Sequence, residues 1–119
     1  MIRKGDIYLA DFGKSRDSFS FGKKRPVLIF HTDKLNFAIK EGIYRHVLVI
    51  PLSTKTDILT EEFRFKITKR EMLKQDSYAV CNALCFLDVK YLLHKLAALN
   101  EREMHSVESM LLDVLDISS

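Results

Sequence analysis

Short apolar runs, broken every few residues by charge, glycine or proline, fill the first ninety residues, and only the C-terminal stretch changes to a helical period. In Ile7-Tyr8-Leu9-Ala10-Asp11-Phe12, positions 7, 9 and 11 oppose 8, 10 and 12, and Gly5 and Gly13 flank the run. That length and aromatic content predict a strand. Residues 13–24 are polar and basic and read as a long exposed loop. Pro26-Val27-Leu28-Ile29-Phe30 predicts a buried strand starting at Arg25 or Pro26, because the first residue of a strand can lack a ladder donor. Asp33 to Gly42 is an ambiguous connection with room for one helical turn. Val47-Leu48-Val49-Ile50 predicts a strand that Pro51 ends or bulges, with Ser53 and Thr54 directly after it. Phe63 to Ile67 alternates strictly, as a half-exposed strand does, and Tyr78 to Leu87 is apolar on both faces, as a central strand is.

After Asn100 the period becomes helical. Met104, Val107, Met110, Leu111, Val114 and Leu115 form one stripe. Asn100 and Glu103 have the spacing of a capping box, and Glu101 and Glu103 suit the positive end of the helix dipole. Five strands with a terminal amphipathic helix predict a mostly β, α+β fold: a small curved antiparallel sheet or barrel with helices packed on it.

At 119 residues the chain has room for one domain, 1–119, and 47% hydrophobic against 29% charged residues is globular composition. Two cysteines do not make a disulfide framework and point to a reducing compartment. No apolar run resembles a secretory signal or a membrane span, so a soluble cytoplasmic protein is the expectation. Charge refines this picture. Residues 1–60 carry 11 Lys/Arg against 6 Asp/Glu, whereas residues 61–119 carry 8 against 10. The excess gathers in Lys14–Arg25, where five basic residues meet only Asp17, which suggests an anionic partner at one end of the molecule.

Several chemistries lose their usual signals. Nucleophile elbows, phosphate-binding glycine loops and helical zinc motifs are absent from the sequence. Cys81 and Cys85, four apart on a predicted strand, lie about 13 Å from each other at about 3.3 Å per residue. That is too far for a disulfide or a shared metal, and they read as buried thiols. His94 and His105 fall among helical segments and read as surface residues. His31 and His46 flank predicted strands and qualify as general bases by residue type only.

The basic loop is different. Arg16, Lys23 and Lys24 are interleaved with Phe19 and Phe21, and cations that track phosphates beside aromatics that stack bases suit single-stranded nucleic acid. Phe19 and Phe21 serve equally well as anchors of the loop on the core. Arg25 stands where this loop enters a strand and offers a fixed fork of donors to a phosphate. Ser53 and Thr54 end another strand, and Asn82 interrupts an apolar run where a buried amide needs partners. These strand ends suggest a single rim at which Arg25, Ser53, Thr54 and Asn82 converge.

In order along nearly the whole chain, Arg3-Lys4-Gly5-Asp6-Ile7-Tyr8-Leu9-Ala10-Asp11, Lys24-Arg25-Pro26-Val27-Leu28-Ile29, Val49-Ile50-Pro51-Leu52-Ser53-Thr54, Asp76-Ser77-Tyr78-Ala79-Val80-Cys81-Asn82, Leu87-Asp88 and the final helix resemble the MazF/PemK family of toxin–antitoxin toxins. The resemblance implies a small SH3-like β-barrel with added helices and a homodimer. It also implies a metal-independent, cofactor-free endoribonuclease of single-stranded RNA, neutralised by a cognate antitoxin. Arg25 matches the family's arginine after the first loop, and Ser53 matches the usual threonine, with Thr54 beside it. Asn82 stands where PemK-like members often carry aspartate. Phe19-Ser20-Phe21 replaces the family's Glu-Gln or His, and Cys85 replaces a second arginine. An asparagine cannot act as a general base, so the match itself supplies none. In RNA the 2′-hydroxyl is the nucleophile, which leaves the protein to position the strand and stabilise charge on the phosphate. Two other readings stay open: a CcdB-like gyrase poison of the same fold, and a catalytically inactive RNA-binding relative.

Overall fold

The computed structural model describes residues 2–13, 24–55 and 62–118. Arg16, Phe19, Phe21 and Lys23, with most of the predicted basic loop, lie outside the described residues.

Among the described residues the chain forms seven strands and two α-helices: β1 Asp6–Asp11, β2 Lys24–Ile29, α1 Asn36–Lys40, β3 His46–Ser53, β4 Arg64–Ile67, β5 Ser77–Val80, β6 Cys85–Asp88, β7 Leu92–Ala98 and α2 Glu101–Val114. The strands join in the order β4-β5-β3-β2-β1-β7, every pairing is antiparallel, and β6 pairs the first half of β3. The two ends of this order meet. Beyond β4, the Met72 amide donates to the Leu96 carbonyl of β7 at 3.0 Å, which turns the sheet toward a barrel.

Apolar residues fill both faces. One cluster gathers Ile7, Leu28, Ile50, Leu52, Ile67, Ala79 and Leu96 beneath Val107 and Leu111 of α2. The other gathers Ala10, Val27, Ile29, Val47, Val49 and Leu87, with Ile39 of α1 against it. Helix α2 begins as its sequence dictates: Asn100 Oδ1 accepts from the Glu103 amide at 2.8 Å and Glu103 Oε1 accepts from the Asn100 amide at 3.0 Å. Gly5 supports that junction. Its φ of +97° and the Met104 side chain 3.4 Å from where a Cβ would stand both favour glycine.

Several expectations are corrected. Lys24 belongs to β2, not to the loop, and Pro26 is its third residue, opposite Leu9 of β1. The missing amide is tolerated because pairing of β2 with β3 begins one residue later, at Val27–Pro51. Pro51 neither ends nor bulges β3. It sits where β3 changes partners, between Val49 opposite β6 and Leu52 opposite β5. The predicted strand 78–87 is two strands separated by a 3-10 turn, Cys81–Ala83. Six steps from Ala79 to Cys85 face three steps from Leu52 to Val49, so the extra residues loop out of the ladder. Asn82 rides on this turn and is exposed, not a buried amide. Strand β7 was not expected, and His94 lies on it, exposed, rather than near a helix. Two register shifts against β1 erase the alternation that would mark it.

Candidate functional site

Arg25 and Ser53 owe their placement to one register. Val27 faces Pro51 across β2 and β3, so the next positions on the same face, two residues outward on each strand, are Arg25 and Ser53. Both lie where the sheet meets solvent and both are half-buried. The Ser53 hydroxyl oxygen accepts the Lys55 amide at 3.1 Å, which leaves its proton to donate. Thr54, one residue on, is exposed.

A groove of about 410 Å³ opens beside these strand ends. Arg25, Lys24 and Thr54 line it on one side, and Lys74, Gln75 and Ser77 on the other. Leu9, Pro26, Met72 and Leu73 contribute apolar surface to it. Cationic and hydroxyl donors around an apolar floor suit a ligand that carries both negative charge and flat apolar faces.

The wall made by residues 69–76 is held from several directions. Asp76 Oδ1 accepts the Lys69 amide at 2.8 Å, and Arg70 and Leu73 exchange two backbone hydrogen bonds. Arg70 also grips Glu103 of α2 through two hydrogen bonds of 2.6 and 2.7 Å. That contact holds the Glu103 carboxyl below its ordinary value and raises the Arg70 guanidinium. Sequence reasoning missed this wall. Lys74 and Gln75 carry no motif, and only the barrel closure through Met72 brings them to Arg25.

Asn82 does not join the groove; the turn that carries it leaves β3 at Leu52 and lies against α2 through Cys81. The two histidines considered as bases do not line it either. His31 follows β2 and is buried, its Nε2 2.9 Å from Asn36 Oδ1. Asn36 Nδ2 donates to Asp33, so the amide oxygen faces the ring and His31 carries its proton on Nε2, in a structural bracket. His46 opens β3 at the end remote from Ser53. His105 is exposed on α2, as expected. The cysteines are free thiols: Cys81 is buried, and burial pushes its pKa up to about 11, while Cys85 is half-buried and also raised. Neither thiol is activated.

The chain matches, over residues 3–115, the family model described as PemK-like, MazF-like toxin of type II toxin-antitoxin system. It is 34% identical to Endoribonuclease MazF of Staphylococcus epidermidis, across 99% of this chain and 91% of that protein. Among solved structures it is similar to the Mycobacterium tuberculosis toxin MazF-mt6, at 18% identity and a TM-score of 0.75 over 96% of this chain and 99% of that one. It is also similar to an endoribonuclease in complex with its cognate antitoxin from a mycobacterial species, at 16% identity and a TM-score of 0.71 over 99% and 96%. The structures support the seven-stranded fold; the sequence matches go further, and by them the chain belongs to the PemK-like, MazF-like toxin family of type II toxin–antitoxin systems.

Proposed function

We propose that this chain is a single toxin domain, 1–119, that cuts single-stranded messenger RNA without a metal or other cofactor, and so inhibits translation and growth. The observation that carries the reading is the basic groove lined by Arg25, Lys24, Lys74 and Thr54, with Ser53 next to it in the chain and on the face of the sheet that the register gives Arg25. The RNA 2′-hydroxyl attacks the adjacent phosphorus and gives its proton to water, the bond to the 5′-oxygen breaks, and that oxygen takes a proton from water. The products are a 2′,3′-cyclic phosphate and a 5′-hydroxyl. Arg25 donates hydrogen bonds to the phosphate oxygens as charge develops there, and the Ser53 hydroxyl donates a hydrogen bond to the same group. Thr54, Lys24 and Lys74 hold the flanking backbone through hydrogen bonds and charge. Asn82 is left out of this set because its turn lies apart from the groove.

The partners that go with this reading are a cognate antitoxin and a second copy of the chain, in the cytoplasm. Leu48, Leu84, Leu112 and Leu115 line an apolar groove between β3 and α2. Phe86, opposite Leu48 and 66% exposed, extends it. An exposed apolar face of this kind suits an isologous contact between two copies. No helix among the described residues is long and apolar enough to cross a membrane.

The test is cleavage of a long single-stranded RNA in excess chelator, with fragment ends read for a 5′-hydroxyl and a 2′,3′-cyclic phosphate. Discrete fragments that vanish in Arg25→Ala are expected. Intact RNA with the wild-type protein refutes the reading.

A further inference from the structure

We propose that the groove beside Arg25 is a nucleobase pocket in which one unpaired RNA base rests on Leu9, Pro26 and Met72 and is read at its edge by Gln75. The inference rests on the RNA reading above and names how that site selects its sequence. At about 410 Å³ the groove falls within the roughly 300–1,000 Å³ of clefts that hold small ligands. Its composition matches a nucleotide. Leu9 and Pro26 are half-buried and Met72 is 52% exposed, so accessible apolar surface faces the space a flat ring would take. A methionine thioether is a favourable partner for an aromatic ring. Lys24, Arg25 and Lys74 on the rim suit the phosphates on either side of that base.

Gln75 is the residue that can discriminate. A primary amide offers a donor and an acceptor side by side, the pairing that reads a base edge. The side chain is exposed and makes no hydrogen bond within the described residues, whereas its backbone carbonyl is held by the Ser77 hydroxyl at 3.1 Å. Its backbone is therefore fixed while its amide remains available. The wall behind it is fixed as well: the Asp76–Lys69 contact, the Arg70–Leu73 bridge, the Met72–Leu96 hydrogen bond and the Arg70–Glu103 pair tie residues 69–76 to β7 and α2. A wall ordered before binding loses little entropy when a base enters, and a fixed amide discriminates more sharply than a mobile one.

The experiment has two readouts. In the first, full-length protein with ¹³C-methyl methionines is titrated with five-nucleotide single-stranded RNAs that vary one position at a time. The Met72 methyl resonance is expected to shift, while Met104 and Met110, packed beneath the sheet, stay put. Binding that saturates without moving Met72, or no binding at all, overturns the pocket. In the second, the cleavage sites of wild type and Gln75→Ala are mapped on a long RNA. Gln75→Ala is expected to cut with a base preference relaxed about tenfold at one position next to the scissile bond. A profile identical to wild type overturns the role of Gln75. Wild-type protein that shifts Met72 yet leaves RNA intact sustains the pocket and refutes the cleavage reading alone.

Discussion

Arg25 is asked to do what a lysine cannot. A guanidinium presents several donors in a fixed plane, whereas an ammonium is a single mobile charge. Arg25→Lys is therefore expected to keep salt-dependent RNA binding and to lose about 100-fold or more in the cleavage step, read from single-turnover rates. Equal loss of binding and rate would make Arg25 an affinity residue. Ser53 and Thr54 are adjacent but face opposite sides of the strand end, which makes their roles separable. Ser53→Ala is expected to lower kcat about tenfold, and Thr54→Val to act chiefly on KM. The residue types of this site were legible before the fold was known, because an arginine after a basic loop and hydroxyls after a buried strand are chemically conspicuous. Asn82 misled for a physical reason. An amide inside an apolar run looks buried, but here the run contains a looped-out turn that turns it to solvent.

Helix α2 is the element that connects the groove wall to the core. Val107 and Leu111 are nearly inaccessible beneath it, so Leu111→Ala is expected to lower stability by about 2–4 kcal/mol in urea unfolding. The Arg70–Glu103 pair gives the same junction a pH dependence. The folded state holds the Glu103 carboxyl below its ordinary value, chiefly through the hydrogen bonds from Arg70. Its contribution is thus complete above that ordinary value and is lost as the pH falls through the depressed one. Glu103→Gln is expected to cost about 1–2 kcal/mol at neutral pH and to flatten the acid limb of the melting temperature. An acid limb parallel to wild type would show that the pair contributes nothing. Among elements, α2 was the most legible, since capping box and apolar stripe are both local. Strand β7 was hidden by its register shifts, and the division of 78–87 by the fact that Cys81 and Leu84 stay apolar while leaving the ladder.

For the whole molecule, the uneven charge and the exposed apolar face make separate demands. The basic groove predicts RNA binding whose logarithm falls linearly with the logarithm of salt, and removing Lys24 is expected to reduce the slope by about 0.7. A slope that Lys24→Ala leaves unaltered would remove that residue from the phosphate path. The apolar face around Leu48, Leu112 and Phe86 predicts a dimer, and Phe86→Glu is expected to give a monomer by sedimentation velocity. Sequence alone determined the elements whose signals are local: the alternation of β1 and β4, the buried run of β2, the cap and stripe of α2, and the order of motifs that marks the family. The tertiary structure decided what depends on partners distant in the chain. Register put Arg25 and Ser53 on one face, and the Met72 amide carried Lys74 and Gln75 across the barrel to the groove that Arg25 lines. A strand's period fixes which residues share a face, but only pairing across the sheet fixes which faces meet.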